Sequence, residues 1–382
     1  MAPPTKKAIT LTPSAPPAQP PDFAVNDCKS AVLYSDEAPL ASQARPGQWD
    51  LKAVWAHVPS PRPAKPSLLV YYHGHSNYVT VVQGGSCRKP DWAATAFANA
   101  NCAPLGYEFA ATAAKFKQPI VLLPEVAKPI QKFVLDPTST NPKHQKAIPG
   151  VPAVTAHDDA GNLGDPAALG KCVDDCFRLL AALKTSSPPC SGASLLPSKP
   201  ALNDIQRFYL SGHSGGGVPL KQAAKSNLAK SAFTDLILLD CTYGHDGGGE
   251  DFCTTKGKTN LGNAADRNRL VVIFRPKSDV SDTETAANAL RDKLRKGMTL
   301  SSTPVAYDPK THSPTIKPAW PPLTTDMVEI LHFADKVHDP SAANLNPIRD
   351  AMTKCPVVFV KTNVEHDRIP TFFIPLVLDS AP

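Results

Sequence analysis

The chain has 382 residues, 42% of them apolar, enough to bury a sizeable core in one large domain or two ordinary ones. Forty basic against 34 acidic residues leave a formal charge of +6, too modest and too dispersed for a nucleic-acid surface. The basic cluster Arg291, Lys293, Arg295 and Lys296 stands at helical spacing beside acids, as on a solvated helix face. No run reaches the ~18–20 apolar residues of an integral membrane helix, and 41 prolines imply long irregular connections instead of a helical bundle.

Residues 1–25 are rich in Pro and Ala with little to bury, and read as a disordered leader before one domain over 26–382. They lack an apolar core of signal-peptide length, which taken literally means cytoplasmic. The nine cysteines form no CxxC pair, so zinc ribbons and thioredoxin-like sites are not expected. That number is high for a reduced cytosolic enzyme and would allow up to four bridges in an oxidising compartment. The expectation is therefore a secreted or periplasmic protein whose leader has been removed, with Cys172 and Cys176 one turn apart on a helix as the plainer reading of that pair.

Short apolar runs then alternate with helical patterns. Residues 67–72 (SLLVYY) and 119–123 (PIVLL) read as buried strands, and 165–183 as a helix with Leu169, Val173, Phe177, Leu180 and Leu183 on one stripe. A third strand, 207–210 (RFYL), is broken by Ser211-Gly212, and a helix over 216–229 follows at once. Strands at 235–239 (DLILL) and 270–274 (LVVIF) precede an amphipathic helix over 283–295, with Ala287, Leu290 and Leu294 inward, and 356–360 (PVVFV) is the last strand. Continuously apolar strands separated by helices predict an α/β fold: a mostly parallel central sheet with helices on both faces and ligands beyond the carboxyl ends of its strands. Three long stretches, 125–164, 241–268 and 297–345, do not fit a minimal version of it and read as insertions serving as lids and walls.

The strongest chemical signal is Gly212-His213-Ser214-Gly215-Gly216, set between an apolar strand and a helix. This is the G-x-S-x-G elbow in its strand–turn–helix context. A nucleophile on so sharp a turn needs small neighbours two residues away, and Gly212 and Gly216 supply them. A phosphate-binding loop would end in Lys-Ser or Lys-Thr, which is absent after these glycines. On these residues the sequence resembles the α/β-hydrolase superfamily of serine esterases and lipases, by order of elements from about 50 to 375 and by specific motifs over a few short segments only.

The resemblance implies a nucleophilic Ser214 and an oxyanion hole from the backbone N–H of Gly215 and that of His75 or Gly74, in the loop His73-Gly74-His75. A metal pair of His73 and His75 is disfavoured for want of a nearby acid at ligand spacing, and no metal or other cofactor is expected. The order Ser, acid, His implies His366 as general base, shortly after PVVFV. His332, His338 and His312 read as surface or packed histidines. Two acids suit the base. Asp240 ends DLILL, as in lipases related to the pancreatic type, whereas Asp279 follows the next strand, with Asp282 and Glu284 as further options. An Asp closing an apolar strand is costly to bury unpaired, while Asp279 and Asp282 could instead cap the helix that follows.

Tyr78, Trp92 and Tyr243 lie near these loops and could line a pocket, although core packing is the plainer role for each. The expected activity is hydrolysis of a small or polymeric carboxylic ester through an acyl-enzyme. The alternatives are an amidase or peptidase on the same residues, and a catalytically silent binding module.

Overall fold

The computed structural model describes residues 30–38, 53–59, 65–74, 119–124, 161–182, 195–232, 234–260, 268–278, 282–296, 327–332, 342–366 and 369–380, with short strands at 82–83, 86–87, 133–135, 145–147 and 305–306. The strands are β1 (Ser30–Tyr34), β2 (Ala53–His57), β3 (Leu68–Tyr72), β4 (Val82–Gln83), β5 (Ser86–Cys87), β6 (Ile120–Pro124), β7 (Phe133–Leu135) and β8 (Gln145–Ala147). They continue with β9 (Phe208–His213), β10 (Thr234–Leu239), β11 (Arg269–Phe274), β12 (Val305–Ala306), β13 (Met327–His332) and β14 (Val357–Thr362). The helices are α1 (Ala168–Ala182), α2 (Gly217–Ala223), α3 (Asn227–Ser231), α4 (Gly249–Asn260), α5 (Thr283–Arg295), α6 (Ala342–Lys354) and α7 (Ile369–Asp379).

Ten strands form one sheet in the order β1-β2-β6-β3-β9-β10-β11-β14-β13-β12. Only β2 runs against its neighbours, β1 and β6; the other pairings are parallel. The chain steps outward from β3 to β6, returns at β9 on the other side of β3, and then proceeds through β10 and β11. The strand order thus reverses between β3 and β9, which opens the crevice where such sheets take their ligands.

A strand buried on both faces must be apolar at consecutive positions, and β3, β6, β10 and β11 are buried throughout. Alternate side chains feed two cores. Leu68, Val70, Phe208, Leu210, Leu236 and Leu238 meet Val173, Phe177 and Leu180 of α1 and Ala287, Leu290 and Leu294 of α5. Leu69, Tyr209, Ile237 and Leu239 meet Ile348 and Met352 of α6 and Phe373 and Val377 of α7 on the opposite face.

Three sequence expectations are corrected. Ser211-Gly212 does not break β9, because these residues pair with Tyr71 and Tyr72 of β3 and with Ile237 and Leu238 of β10, carrying the strand to His213. The helix expected over 216–229 is two: α2 stops at Ala223, and Ser226 caps α3 by accepting the N–H of Ala229 at 3.2 Å. The stretches read as insertions hold regular structure, with β7 and β8 in the first, α4 in the second, and β12, β13 and the start of α6 in the third. The leader at 1–25 lies outside the described residues.

At the amino end of the sheet, Asp235 of β10 is fully buried between two guanidiniums. Arg207 reaches it at 2.9 and 2.5 Å, and Arg269 at 3.0 and 2.7 Å. Arg269 also donates to the carbonyls of Met352, Val377 and Ser380, tying β11 to α6 and to the end of α7. Cys172, Cys176, Cys241, Cys253 and Cys355 are buried and in no disulfide, with Cys172 and Cys176 on one face of α1. The nine cysteines can therefore form at most two bridges, not four, using the remaining positions 28, 87, 102 and 190.

Candidate active site

The described members of the constellation gather at the carboxyl ends of β3, β9, β10 and β14. Ser214 follows β9 directly, at the start of a 3-10 turn (Ser214–Gly216) that leads into α2. Its φ is +51°, in the left-handed region that costs a residue with a Cβ energy. Among the described residues only Asp240 shares this state without being glycine, with a φ of +45°. Two strained backbones at the ends of adjacent central strands mark the place where function is to be sought.

Tight packing explains the glycines. A Cβ on Gly216 would lie 2.2 Å from the Tyr72 carbonyl oxygen, and one on Gly212 would lie 2.8 Å from the Gly216 carbonyl oxygen. Any side chain at Gly216 would force the elbow away from the end of β3. Gly74 is pressed against Ser214 in the same way, since its Cβ would stand 2.9 Å from Cβ of Ser214. The Gly74 backbone thus borders Ser214, and Gly215 follows Ser214 in the turn. His73 is buried, and its Nδ1–H donates to the Gly74 carbonyl at 2.8 Å, bracing that loop. His75 lies outside the described residues.

Asp240 and His366 come together from 126 residues apart, with Nδ1 of His366 2.7 Å from Oδ2 of Asp240. Asp240 is fully buried, while the His366 side chain is about a quarter exposed. The other carboxylate oxygen, Oδ1, accepts the hydroxyl of Thr283 and the backbone N–H of Arg275, the latter at 3.2 Å. Burial pushes the Asp240 carboxyl up, but the hydrogen bonds from His366 and Thr283 outweigh it and hold the group below its ordinary value. Asp240 is therefore ionised at neutral pH.

The other acids are placed differently. Asp282 caps α5, accepting the Thr285 N–H at 3.0 Å, and Glu284 pairs with Lys361 and the Lys277 N–H. Asp279 lies outside the described residues, as do Tyr78, Trp92, His312 and His338. His332 is packed at the end of β13, 3.0 Å from the Thr362 hydroxyl. Tyr243 approaches His366 edge-on at 6.4 Å between ring centroids, so it borders the site.

Thr283 and Gly217 belong to this neighbourhood and went unread in the sequence. Thr283 begins a helix and carries no motif; its contact with Asp240 spans 43 residues. Gly217 sits against the Cys241 carbonyl, where a Cβ would come to 2.2 Å. The third glycine of the run was its only available signal.

Neither a family model nor a curated protein matches the chain. Among solved structures it is similar to an S-formylglutathione hydrolase from Agrobacterium tumefaciens, at 12% identity and TM-score 0.30, covering 70% of this chain and 82% of that one. A feruloyl esterase module from Clostridium thermocellum aligns at 10% identity and TM-score 0.29, over 97% and 94% of the two chains. A thermophilic esterase from Thermogutta terrifontis aligns at 11% identity and TM-score 0.24, over 81% and 78%. Strand order, helices on both faces and the elbow at the end of β9 make the fold one of the α/β-hydrolase type.

Proposed function

We propose that this chain is a serine hydrolase that cleaves carboxylic esters through an acyl-enzyme, with Ser214 as nucleophile, His366 as general base and Asp240 as the acid that orients it. The observation that carries the reading is the His366–Asp240 pair, 2.7 Å apart beside a nucleophile elbow with φ +51°. An ionised Asp240 accepts the Nδ1–H of His366 and leaves Nε2 as the basic nitrogen. His366 then takes the hydroxyl proton of Ser214 as the Oγ–carbonyl bond forms. The oxyanion is held by the backbone N–H of Gly215 and a second one from the Gly74-His75 segment. Collapse expels the alcohol, which receives the proton from His366. Water repeats the sequence on the acyl-enzyme and frees the acid.

The substrate we favour is a neutral, moderately apolar ester such as a lipid, a polyester or an acylated glycan. The test joins a fluorophosphonate probe to turnover of p-nitrophenyl esters and of peptide amides by the wild type, Ser214→Ala and His366→Ala. The expected outcome is labelling confined to Ser214, ester turnover exceeding amide turnover, and loss of both label and turnover in Ser214→Ala. Amide turnover in excess would make the chain an amidase. A folded wild type that neither labels nor turns over would leave it a binding module.

A further inference from the structure

The residue before the nucleophile, His213, is 1% exposed and closes β9 in an extended conformation, φ −123° and ψ 140°. In the sequence it is the variable x of G-x-S-x-G, a position to which the motif assigns no chemistry. Here its side chain joins three pieces of the site. Its Nε2–H donates to the backbone carbonyl of His366 at 2.9 Å, across 153 residues. Its ring lies against the His366 imidazole, with centroids 4.4 Å apart and planes inclined at 37°. On its other side Nδ1 abuts Gly74, where a Cβ would stand 3.1 Å away.

We infer that His213 is a positioning residue for the proposed serine hydrolase chemistry, its Nε2–H fixing the loop that carries His366 and its ring setting the angle of the His366 imidazole. The inference rests on the serine hydrolase reading and extends it to a group that acts through His366. A backbone carbonyl is the right anchor, because holding it leaves both ring nitrogens of His366 for Asp240 and Ser214. The titratable groups facing His213 are His366, Asp240 and His73. Burial, reinforced by the proximity of His366, pushes His213 down to about 3, so the ring is neutral wherever an esterase would work. It therefore keeps a single donor at Nε2 and places no second positive charge beside the imidazolium that forms during catalysis.

Three variants separate the donor from the ring. His213→Gln keeps an N–H near the place of Nε2, His213→Asn is too short to reach the carbonyl, and His213→Phe keeps a ring without a donor. Each is compared with the wild type for kcat and KM on p-nitrophenyl acetate, for the acid limb of the pH–rate profile, and for melting temperature. For Asn and Phe the expected result is a fall in kcat of about 10- to 100-fold with KM within about threefold, the size of one positioning hydrogen bond in the barrier. The acid limb, which reports the base, should move in both. Gln should recover kcat to within about fivefold and restore the acid limb. Wild-type kinetics in all three variants would overturn the inference. So would a common fall in kcat and melting temperature with the acid limb unmoved, since that describes packing alone. A wild type that is folded yet fails to label at Ser214 would overturn the serine hydrolase reading, and this inference with it.

Discussion

Replacing Asp240 by Asn is the sharpest perturbation of the proposed mechanism, because the structure dictates how the amide must sit. Oδ1 accepts two donors, the Thr283 hydroxyl and the Arg275 N–H. An amide in the same place keeps its oxygen toward them and turns its NH2 toward Nδ1 of His366, where a carboxylate oxygen now accepts at 2.7 Å. Two donors cannot face each other, so the imidazole moves its proton to Nε2 and can no longer accept one from Ser214. The wrong tautomer is worth about 10⁴-fold in kcat in an established triad, or roughly 5 kcal/mol in the barrier. The fold should survive, since Asn tolerates the left-handed φ of +45° as Asp does. Steady-state turnover of p-nitrophenyl acetate and the rate of fluorophosphonate labelling should both fall by about 10³- to 10⁴-fold, with melting shifted by only a few degrees. Asp279→Asn, run alongside, should stay near the wild-type rate. A tenth or more of wild-type kcat in Asp240→Asn, with collapse in Asp279→Asn, would refute the reasoning and move the acid one strand on.

Two further outcomes test the frame around the site. Asp235→Ala leaves two buried guanidiniums without their carboxylate and should cost about 3–5 kcal/mol, or about 4–7 °C of melting temperature for a chain this long. The activity at 20 °C should stay within about twofold, because Asp235 lies at the opposite end of β10 from Asp240, roughly 16 Å away. Burial pushes the Asp235 carboxyl up, but Arg269 and Arg207 hold it below its ordinary value. Its contribution is thus complete above the carboxylate value of the unfolded chain and is lost as pH falls through the lower folded value. Calorimetry should find the gap between Asp235→Ala and wild type constant from pH 7 to 5 and closing only below about pH 4; a gap already closed at pH 5 would contradict the ion pairs. Gly216→Ala should slow Ser214 labelling more than tenfold and cost about 1–3 kcal/mol, since its methyl meets the Tyr72 carbonyl at 2.2 Å. Labelling at the wild-type rate would show that the elbow does not need that approach.

Much of this arrangement was legible because parallel strands and elbows write themselves locally. A strand covered on both faces must be continuously apolar, and 235–239 and 270–274 announced β10 and β11 with nothing else consulted. The amphipathic stripe gave α5 its limits and its inward residues Ala287, Leu290 and Leu294. Other parts depended on distant partners. Ser211 and Gly212 look like a strand ending, yet the ladders to β3 and β10 on either side hold them extended. In β13 the polar Glu329 obscured the pattern, and it is accommodated by Arg291 and Arg295 reaching across from α5 at 2.5 and 3.6 Å. At the site, the elbow could be read from five consecutive residues, and chain order proposed the base. Local pattern left Asp240 and Asp279 both open, because the contacts of Asp240 are long-range: a hydrogen bond across 126 residues and a buried threonine 43 residues away.

The ionic cluster under the sheet also constrains how this chain is made. Arg269 shares Asp235 with Arg207, but its other acceptors, the carbonyls of Met352, Val377 and Ser380, lie 83, 108 and 111 residues downstream. During synthesis a guanidinium that ends 1% exposed therefore gains its full set of acceptors only once the chain has grown to residue 380. Arg269 sits in β11, between the strand that ends in Asp240 and the strand that precedes His366. A nascent chain stopped before 369 would thus carry Ser214, Asp240 and His366 without the helix that accepts from Arg269 at Val377 and covers one face of the central strands.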